Sequence, residues 1–303
     1  MTPTSPFDEA GPDTDDRELV RLVQQGDRGA LEALVERHRP WIYNVALRMV
    51  YLPQDADDAT QEILIKVITK LSTFEGRSRL RTWIYRVAVN HLLSMKRTRA
   101  EEAAYTFDRY GAGLDSTPDL DVPDPATVPA DVQLLVDEAR IGCTTGMLLC
   151  LDREQRLVYV LGEIFGVTDV VGAELFEVSR DAFRQRLSRA RRDLHQFMDR
   201  KCGLVNTANP CRCARKTQAF INAGFVDPSN LLFASAHVTQ VRELAPKVHE
   251  DLNALDAAYA AVHREHPFHT PPALAGAIRT LLQQPPFESI VEGPRDAAAK
   301  GDA

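Results

Sequence analysis

Apolar residues recur at steps of three and four along most of this 303-residue chain, which is the period of an amphipathic α-helix. From 15 to 100, such stripes predict a compact helical bundle in which Pro40 lies in the first turn of a separate helix. The stretch 79–97 predicts a further helix that turns Trp83 inward. Alternating patterns typical of strands are nearly absent, so the sequence predicts an all-α fold.

The pattern changes in 101–131, where "DSTPDLDVPDPATVPAD" combines Asp and Pro without a basic residue. Such a segment buries too little apolar surface to fold alone, and it predicts an acidic, Pro-rich linker. A second helical unit follows at 132–200. It contains a short helix, the turn "FEVS" and a helix that Ser179 caps and that turns Phe183 inward. This is the helix-turn-helix pattern.

The rest of the chain divides into a Cys-rich segment at 201–216 and a helical extension at 217–287. The apolar stripe of the extension runs as far as Val262. The two ends of the chain, 1–14 and 288–303, are predicted to be disordered because they are polar and rich in small residues.

Composition narrows the class of protein. The formal net charge is -7, with 44% hydrophobic and 26% charged residues, as in soluble globular proteins. No apolar run approaches the length of a membrane span, and the acidic N-terminus is unlike a signal peptide, so we expect a cytoplasmic protein. Five cysteines are an odd number in a chain without an export signal, which argues against a disulfide framework.

One segment contrasts with the overall acidity. "RSRLRTWIYRVAVNHLLSMKRTR", at 77–99, concentrates Arg and Lys, lacks Asp and Glu, and includes Trp and Tyr. On a helix, one face would carry Arg79, Thr82, Arg86, Asn90 and Arg97. That face could follow phosphates while nearby aromatic rings meet unstacked bases. The alternative is a solvated cationic face.

The helix that begins after Ser179 is also basic. The N-terminal part of a recognition helix contacts base edges, where Arg reads guanine and Gln reads adenine. The alternative is a basic amphipathic helix on a bundle. The candidate DNA-contacting residues are Arg180, Arg184, Gln185, Ser188, Arg189, Arg191 and Arg192.

A third segment, "DADDATQEILIKV", is acidic at its start. Asp55, Asp57 and Asp58 fall in a predicted first turn, where the helix dipole favours acids. The alternative is that this exposed acidic helix docks on a basic protein surface.

Taken in order, "DADDATQE", "FEGRSRLRTWIYRVAVNHLL", the acidic linker and "RLSRAR" in a basic helix-turn-helix resemble the sigma-70 family. The resemblance covers about residues 15 to 200 and is strongest to the extracytoplasmic-function (ECF) sigma factors, which keep only regions two and four. It implies a region two bundle at 15–100 and a region four helix-turn-helix at 132–200, joined by the acidic linker and followed by the helical extension.

The resemblance implies a sigma factor that binds core RNA polymerase and directs promoter-specific initiation. The polymerase would be bound through Asp58, Gln61 and Glu62. The -35 element would be read as duplex by the basic helix after Ser179, and the linker would lie in the RNA path. The residues implied in opening the -10 element are Phe74, Arg77, Arg79, Arg81, Trp83, Arg86, Asn90 and Arg97.

The chain departs from the family pattern at three places. Glu177 stands where the turn usually has Gly, Gly172 stands where an apolar residue is usual, and the extension follows region four, where minimal members end. The sequence leaves open an anti-sigma factor or another regulatory protein as a further partner. One hypothesis is that the extension regulates sigma activity, either by packing on the sigma domains or by recruiting a partner. The alternative is a self-contained helical appendage with no effect on transcription.

Two other functions remain in view. A helix-turn-helix regulator that acts without polymerase would leave the "DADDATQE" helix unexplained. An enzyme with a thiol or metal centre is the remoter alternative. The sequence has no Gly-rich phosphate loop, nucleophile elbow or paired catalytic motif, so we do not expect an enzyme.

The function requires no cofactor, but the cysteines allow one. His195, Cys202, Cys211 and Cys213 would together make a tetrahedral zinc site. The alternatives are unliganded reduced thiols, or a reversible disulfide that joins Cys202 to Cys211 or to Cys213.

Overall fold

The computed structural model of the protein describes residues 13–103, 106–127, 130–234, 239–240 and 254–269. The helices are α1 (Asp13–Gln24), α2 (Arg28–Val50), α3 (Pro53–Lys70), α4 (Leu80–Ser94), α5 (Arg99–Glu102), α6 (Phe107–Ser116), α7 (Val132–Leu148), α8 (Arg153–Tyr159), α9 (Asp169–Phe176), α10 (Arg180–Lys201), α11 (Cys213–Asn222) and α12 (Ala254–Arg264). A 3-10 turn at Leu71–Thr73 follows α3, and a π-helical turn at Val160–Ile164 follows α8. The strands β1 (Thr239–Gln240) and β2 (Pro267–Phe268) pair antiparallel. The predicted all-α fold is confirmed.

Helices α1 to α4 form the first unit, and local signals set their boundaries. The Asp27 side chain caps α2 by accepting a hydrogen bond from the Ala30 N–H at 3.0 Å. Pro53 begins α3, where its missing N–H removes no hydrogen bond. The inward faces of these helices bury Leu31, Ile63 and Leu92 in one core. The bundle predicted for this part of the chain therefore forms.

The prediction that Pro40 begins a separate helix is wrong, because α2 runs unbroken from Arg28 to Val50. A proline inside a helix removes one hydrogen bond and costs about 3 kcal/mol. Burial offsets that cost, since every residue of α2 from Trp41 to Val50 is buried. A helix that is buried all round forms the centre of a fold rather than one edge of it.

Helices α7 to α10 and the π-helical turn form the second unit. Thr168 caps α9 by accepting a hydrogen bond from the Val171 N–H at 3.3 Å. Ser179 caps α10 as predicted, with its Oγ accepting from the Ala182 N–H at 3.1 Å. Phe183, on the inward face of α10, is fully buried, also as predicted.

The two units are in direct contact and share a continuous core. Helix α2 packs on α8 and on the π-helical turn, and α4 packs on α9. Where α2 meets the π-helical turn, the rings of Trp41 and Phe165 pack edge to face with centroids 5.0 Å apart. The units are therefore more than two bodies joined by a linker.

Part of the predicted linker, 101–131, is helical, since α6 lies within it and α5 overlaps its start. Tyr110 of α6 packs against Gly146 of α7 and donates a hydrogen bond to the Cys143 carbonyl at 2.8 Å. Beyond α6, the Leu120 N–H donates to the Arg215 carbonyl at 2.9 Å. The acidic stretch therefore lies along α11 rather than apart from the protein.

The extension packs on the second unit through α11, which contacts α7. After α11 the chain returns to α7 at Glu138, a buried carboxylate that accepts hydrogen bonds from three successive backbone N–H groups. These belong to Leu232, Phe233 and Ala234, at 2.7, 2.8 and 2.7 Å. Glu138 thus fixes this part of the extension to the second unit.

Several predicted segments lie outside the described residues. They are the N-terminal tail before Asp13, the start of the apolar stripe in the extension, the last part of the extension after 269 and the tail at 288–303. Of the helices that the structure describes, none is long and apolar enough to cross a membrane.

Candidate nucleic-acid interface

The second helix of the helix-turn-helix, α10, exposes most of the predicted basic face. Its inward side buries Phe183, Ala190 and Leu194, which leaves the opposite side in solvent. The predicted residues that the structure exposes are Arg180, Arg184, Gln185, Ser188, Arg189 and Arg192. This face can therefore meet a ligand without any rearrangement of α10.

Asp169, at the start of α9, pairs with two of these arginines. Arg180 Nη2 lies 3.2 Å from Asp169 Oδ1, and Arg184 Nη1 lies 3.0 Å from Oδ2. Partial desolvation opposes ionisation of Asp169, but the hydrogen bond from Arg180 and the charges of Arg180 and Arg184 lower the pKa of its carboxyl group. Exposed pairs of this kind contribute only about 0–1 kcal/mol, so DNA phosphates can compete for both arginines.

Arg191, also predicted to contact DNA, instead pairs inside the protein. Its Nε donates a hydrogen bond to Glu163 Oε1 at 3.2 Å, and the Glu163 side chain is 2% exposed. A buried carboxylate requires a partner of opposite charge, and Arg191 supplies it. In this structure Arg191 belongs to the framework of the interface rather than to its surface.

Both departures from the family pattern in the helix-turn-helix have structural explanations. Glu177 has φ 53° and ψ 45°, the left-handed conformation that glycine adopts without strain. A Cβ on Gly172 would lie 2.4 Å from the Phe183 ring, so an apolar side chain there would require Phe183 to move. The turn is therefore conventional in shape, and Gly172 allows α9 to approach α10 closely.

The basic segment of the first unit forms α4 and the loop before it. Arg77, Arg79, Asn90 and Arg97 are exposed, as predicted. Arg81, Trp83, Phe74 and Arg86 are half-buried, and the rings of Phe74 and Trp83 pack with centroids 5.5 Å apart.

Thr82 was predicted to lie on the exposed face of this helix, but the structure buries it. Helix α4 packs against α9 as well as against α1, α2 and α3, so its covered surface is wider than one stripe. Periodicity within the segment could not indicate the second contact.

Arg86 is the residue through which α4 meets the helix-turn-helix. Its Nε donates a hydrogen bond to the Glu174 carbonyl at 3.1 Å, and its Nη1 lies 3.5 Å from Glu177 Oε1. One residue predicted to contact the -10 element is therefore occupied by the unit predicted to read the -35 element.

The predicted polymerase-binding residues lie on α3, where Asp58 and Glu62 are exposed and Gln61 is half-buried. Below them is His91 of α4. Its Nδ1 lies 2.6 Å from Lys66 Nζ, and its Nε2 lies 3.6 Å from Glu62 Oε2. Burial, and then the charge of Lys66, lower the pKa of His91, so it is neutral at pH 7 and accepts from Lys66.

Glu101, which was not among the predicted site residues, joins the two units. Its Oε1 accepts hydrogen bonds from Arg153 Nε and Arg156 Nη1, both at 3.0 Å, and its side chain is 3% exposed. Glu101 also completes a capping box with Thr98 at the start of α5. The T-x-x-E spacing is the signal that could have identified it.

Three of the predicted ligands, Cys202, Cys211 and Cys213, lie near one another and near Cys143. Burial, and then the thiols of Cys213, Cys202 and Cys211, raise the pKa of Cys143. His195, the fourth predicted ligand, stacks on Tyr259 and lies 3.3 Å from the Tyr159 hydroxyl.

The backbone brings these thiols together. A Cβ on Gly203 would lie 2.1 Å from the Cys211 carbonyl oxygen, and α11, which begins at Cys213, packs on α7, which carries Cys143. All are free thiols. No group of three or more ligating side chains in the described part of the chain has the arrangement of a metal site.

Comparison with known proteins finds similarity to RNA polymerase sigma factors. Residues 34–102 match sigma-70 region 2. The RNA polymerase sigma-H factor of Pseudomonas aeruginosa is 28% identical over 181 residues, which are 58% of this chain and 90% of the relative. The ECF RNA polymerase sigma-E factor of Haemophilus influenzae is 28% identical over 182 residues, 58% of this chain and 91% of that protein. The chain is thus similar to sigma factors of the sigma-70 family, among them members of its ECF group.

Each of these matches covers nearly the whole relative but little more than half of this chain, which therefore carries sequence outside the matches. Among solved structures, CnrH in complex with the cytosolic domain of CnrY is similar over 61% of this chain and 97% of that chain. Its sequence identity is 23% and its TM-score is 0.42.

Proposed function

We propose that this protein binds core RNA polymerase and directs it to promoters, reading a -35 element as duplex and opening a -10 element. The observation that carries the proposal is the presence in one chain of a region 2 bundle and a capped helix-turn-helix with an exposed basic face. The protein acts by binding rather than by catalysis. Its place of action is the cytoplasm, where the polymerase and the chromosome are.

The -35 element is read by the exposed face of α10. Arg184 and Gln185 lie near the start of this helix, which is the part that reaches base edges when a recognition helix enters the major groove. The Arg184 guanidinium can donate two hydrogen bonds to guanine, and the Gln185 amide can donate one hydrogen bond to adenine and accept another from it. Arg189 and Arg192 lie further along and contact phosphates.

The -10 element is engaged by α4 and the loop before it. Arg77, Arg79, Asn90 and Arg97 are exposed and provide contacts to the backbone of the separated strand. The Phe74–Trp83 pair lies beside them and offers aromatic faces for an unstacked base.

The polymerase is bound by the acidic face of α3, through Asp58, Gln61 and Glu62. Pull-down with core polymerase tests this face. Asp58→Lys reverses one exposed charge and should reduce capture several-fold, whereas Asp108→Lys, at an exposed acid on α6, should leave it unchanged. Equal capture of the two variants would exclude α3 as the docking face.

Transcription with purified core polymerase and genomic templates tests the function as a whole. Promoter-specific transcripts should require this protein. A regulator that acts without polymerase would give specific DNA binding but no such transcripts and no capture of the polymerase, and that result would reject the proposal in favour of this alternative.

The four thiols support a second, subordinate proposal: that Cys143, Cys202, Cys211 and Cys213 bind a divalent ion of the zinc class. Four thiolates make a tetrahedral site. Burial raises the pKa of all four thiols, so a bound cation would displace their protons and take over the negative charge that the buried site otherwise disfavours. The thiol side chains would have to rotate into a ligand arrangement.

Metal analysis of protein purified under reducing conditions tests this proposal, together with the absorption of the cobalt-substituted protein. Cys143→Ser should abolish a stoichiometric ion. Cys150 lies beyond the end of α7, and the charge that acts on the pKa of its thiol is that of Arg156 rather than that of another thiol. Cys150→Ser should therefore keep the ion. Protein without stoichiometric metal, or no difference between the two variants, would reject it.

A further inference from the structure

The end of the described chain lies against both sigma units. Helix α12, the turn after it and β2 make up residues 254–269, which we call the strap. The strap packs on α2 of the first unit on one side, and on α7, α10 and the π-helical turn of the second unit on the other.

On the side of the first unit, the strap contacts three residues of α2. Asn44 forms a pair of hydrogen bonds with the His269 backbone, donating from Nδ2 to the carbonyl at 2.8 Å and accepting at Oδ1 from the N–H at 2.9 Å. Arg48 Nη2 donates to the Pro267 carbonyl at 3.1 Å. The Phe268 ring packs on Trp41, with centroids 5.2 Å apart. A buried polar side chain that satisfies both groups of one peptide residue fixes the register of the strap.

On the side of the second unit, Tyr259 stacks on His195 with ring centroids 4.2 Å apart and an interplanar angle of 17°. Its hydroxyl donates a hydrogen bond to Asp199 Oδ1 at 3.2 Å. Arg264 Nε donates to the Glu163 carbonyl at 2.6 Å.

Further along the strap, His266 Nε2 lies 2.6 Å from Thr144 Oγ1 of α7. The strap thus forms hydrogen bonds with α2 of the first unit and with α7, α10 and the π-helical turn of the second unit. The two units cannot separate while all of these contacts stay in place.

The arrangement that the strap spans is one in which α4 is covered. Arg86 of α4 is bonded to the Glu174 carbonyl and lies beside Glu177, and its side chain is 29% exposed. In this arrangement the two faces assigned to DNA belong to one packed body. Arg86, a candidate -10 contact, is bonded to α9 here, so engaging a separated strand through it requires α4 to leave α9.

We propose that the strap is an intramolecular clamp that holds the two sigma units closed and must leave α2 before α4 can engage promoter DNA. This inference rests on the proposed function for its consequence, but the closed state itself can be tested without polymerase. Differential contacts define the switch: the strap bonds both units in the closed arrangement and cannot bond both in an open one.

The experiment compares the full-length protein with Tyr259→Ser/Phe268→Ser, which removes the stack on His195 and the ring on Trp41. The matched control is Phe225→Ser, the same change of side chain at an extension residue that is 68% exposed. Fluorescence energy transfer between dyes on α3 and on the exposed face of α10 reports the separation of the units in the free protein. The double variant should show a longer distance and the control should match wild type.

A second readout is promoter-specific transcription with core polymerase at limiting protein, where the double variant should be several-fold more active than wild type. An unchanged dye distance in a folded double variant would overturn the clamp whatever the transcription result. A longer distance without transcription from any form of the protein would instead reject the proposed function.

A milder pair of substitutions keeps the test informative if the double variant does not fold. Tyr259→Leu/Arg264→Met removes the ring stack and two hydrogen bonds while preserving most of the buried volume. It should lengthen the dye distance by less than the serine pair. Wild-type distances in this variant too would contradict the clamp.

Discussion

The two basic helices of this protein, α4 and α10, are presented in opposite ways. Six of the seven predicted residues of α10 are exposed, and its arginines pair with acids of the same unit, so it can meet duplex DNA as it stands. Helix α4 is packed on α9, and its Arg86 is bonded to a residue of the other unit. The difference implies an order of events in which -35 reading is available first and -10 engagement follows an opening of the units.

The largest effect we expect is a loss of stability on removing Arg191, the arginine of α10 that pairs with a buried carboxylate. Arg191→Ala would leave Glu163 as a buried carboxylate without its partner, which should lower the free energy of unfolding by about 3 kcal/mol. Chemical denaturation measures it. Arg192→Ala is the control, because Arg192 is the next residue and is exposed, and it should change stability by less than about 0.5 kcal/mol. Similar stability of the two variants would show that Glu163 does not need Arg191.

The next effect concerns DNA rather than stability. Arg184→Ala should weaken binding to a -35 duplex by about 1–3 kcal/mol and relax the preference at one base pair, as expected for loss of a bidentate contact. Arg189→Ala should weaken all duplexes alike and reduce the salt dependence. Titrations over a set of single-base variants at two salt concentrations separate the two outcomes. A uniform loss for Arg184→Ala would reassign it to phosphate binding.

Arg86 sharpens the comparison of the two helices. Arg86→Ala removes the contact of α4 with α9 and also one candidate -10 contact. It should leave -35 duplex binding unchanged and reduce promoter opening across sequences. Permanganate reactivity of unpaired thymines measures the opening. Reduced -35 binding by this variant would show that the two helices are coupled more tightly than their separate exposure indicates.

The strap makes the closed arrangement sensitive to acid. Burial, and then the charges of His195 and Arg48, lower the pKa of His263 to about 3. Burial, and then His263 and charges that include Arg48 and Arg140, hold the pKa of His266 well below its usual value. In an unfolded or released strap both groups titrate near pH ~6.5.

Because the folded pKa values lie below the unfolded ones, the released form binds more protons between them. The contribution of these histidines to the stability of the closed strap is therefore fully present above pH ~6.5. It falls as the pH drops below that value, by up to about 1.4 kcal/mol per pH unit for each histidine. The dye distance should lengthen between pH 7 and pH 5. His263→Phe, which keeps an aromatic ring beside Tyr159, should make that change shallower. An identical pH response in this variant would exclude His263 as a source of the sensitivity.

The sequence could predict the parts of this fold that are repeated locally. The helical bundle of the first unit, the Ser179 cap and the exposure of six of the seven predicted residues of α10 follow from neighbours within a few residues, and the structure has them. The Asn44–His269 pair joins residues far apart in the chain, and no local period indicates it. Pro40 shows the same limit, since its tolerance inside α2 depends on burial from every side.

Zinc ligation was predicted from closeness in sequence, which suggested His195 and gave no sign that Cys143 lies near the other thiols. Sequence spacing ranks residues that are near in the chain, whereas the loop after α10 and the packing of α11 on α7 determine which thiols meet. His195 is instead a stacking surface for the strap. Candidate sites formed by packing of distant helices are therefore the ones that sequence alone misses.

The smallest effect concerns Glu177, where the two units meet. The left-handed conformation costs a non-glycine residue about 1–2 kcal/mol, and glycine loses about 0.5–1 kcal/mol of that advantage through the greater freedom of the unfolded chain. Glu177→Gly should therefore raise the free energy of unfolding by about 0.5–1 kcal/mol. Glu177→Gln keeps the strained backbone and removes only the charge that lies 3.5 Å from Arg86. Since the Glu177 side chain is 63% exposed, Gln should change stability by less than about 0.5 kcal/mol. Denaturation of both variants measures the difference, and a glycine variant no more stable than the glutamine variant would show that the turn carries no strain.

The same two variants also test what holds α4 on α9, because both remove the same charge from beside Arg86. A dye distance that lengthens equally in the two variants would assign the α4–α9 contact to charge. A dye distance that lengthens in neither variant would leave the closed arrangement to the strap.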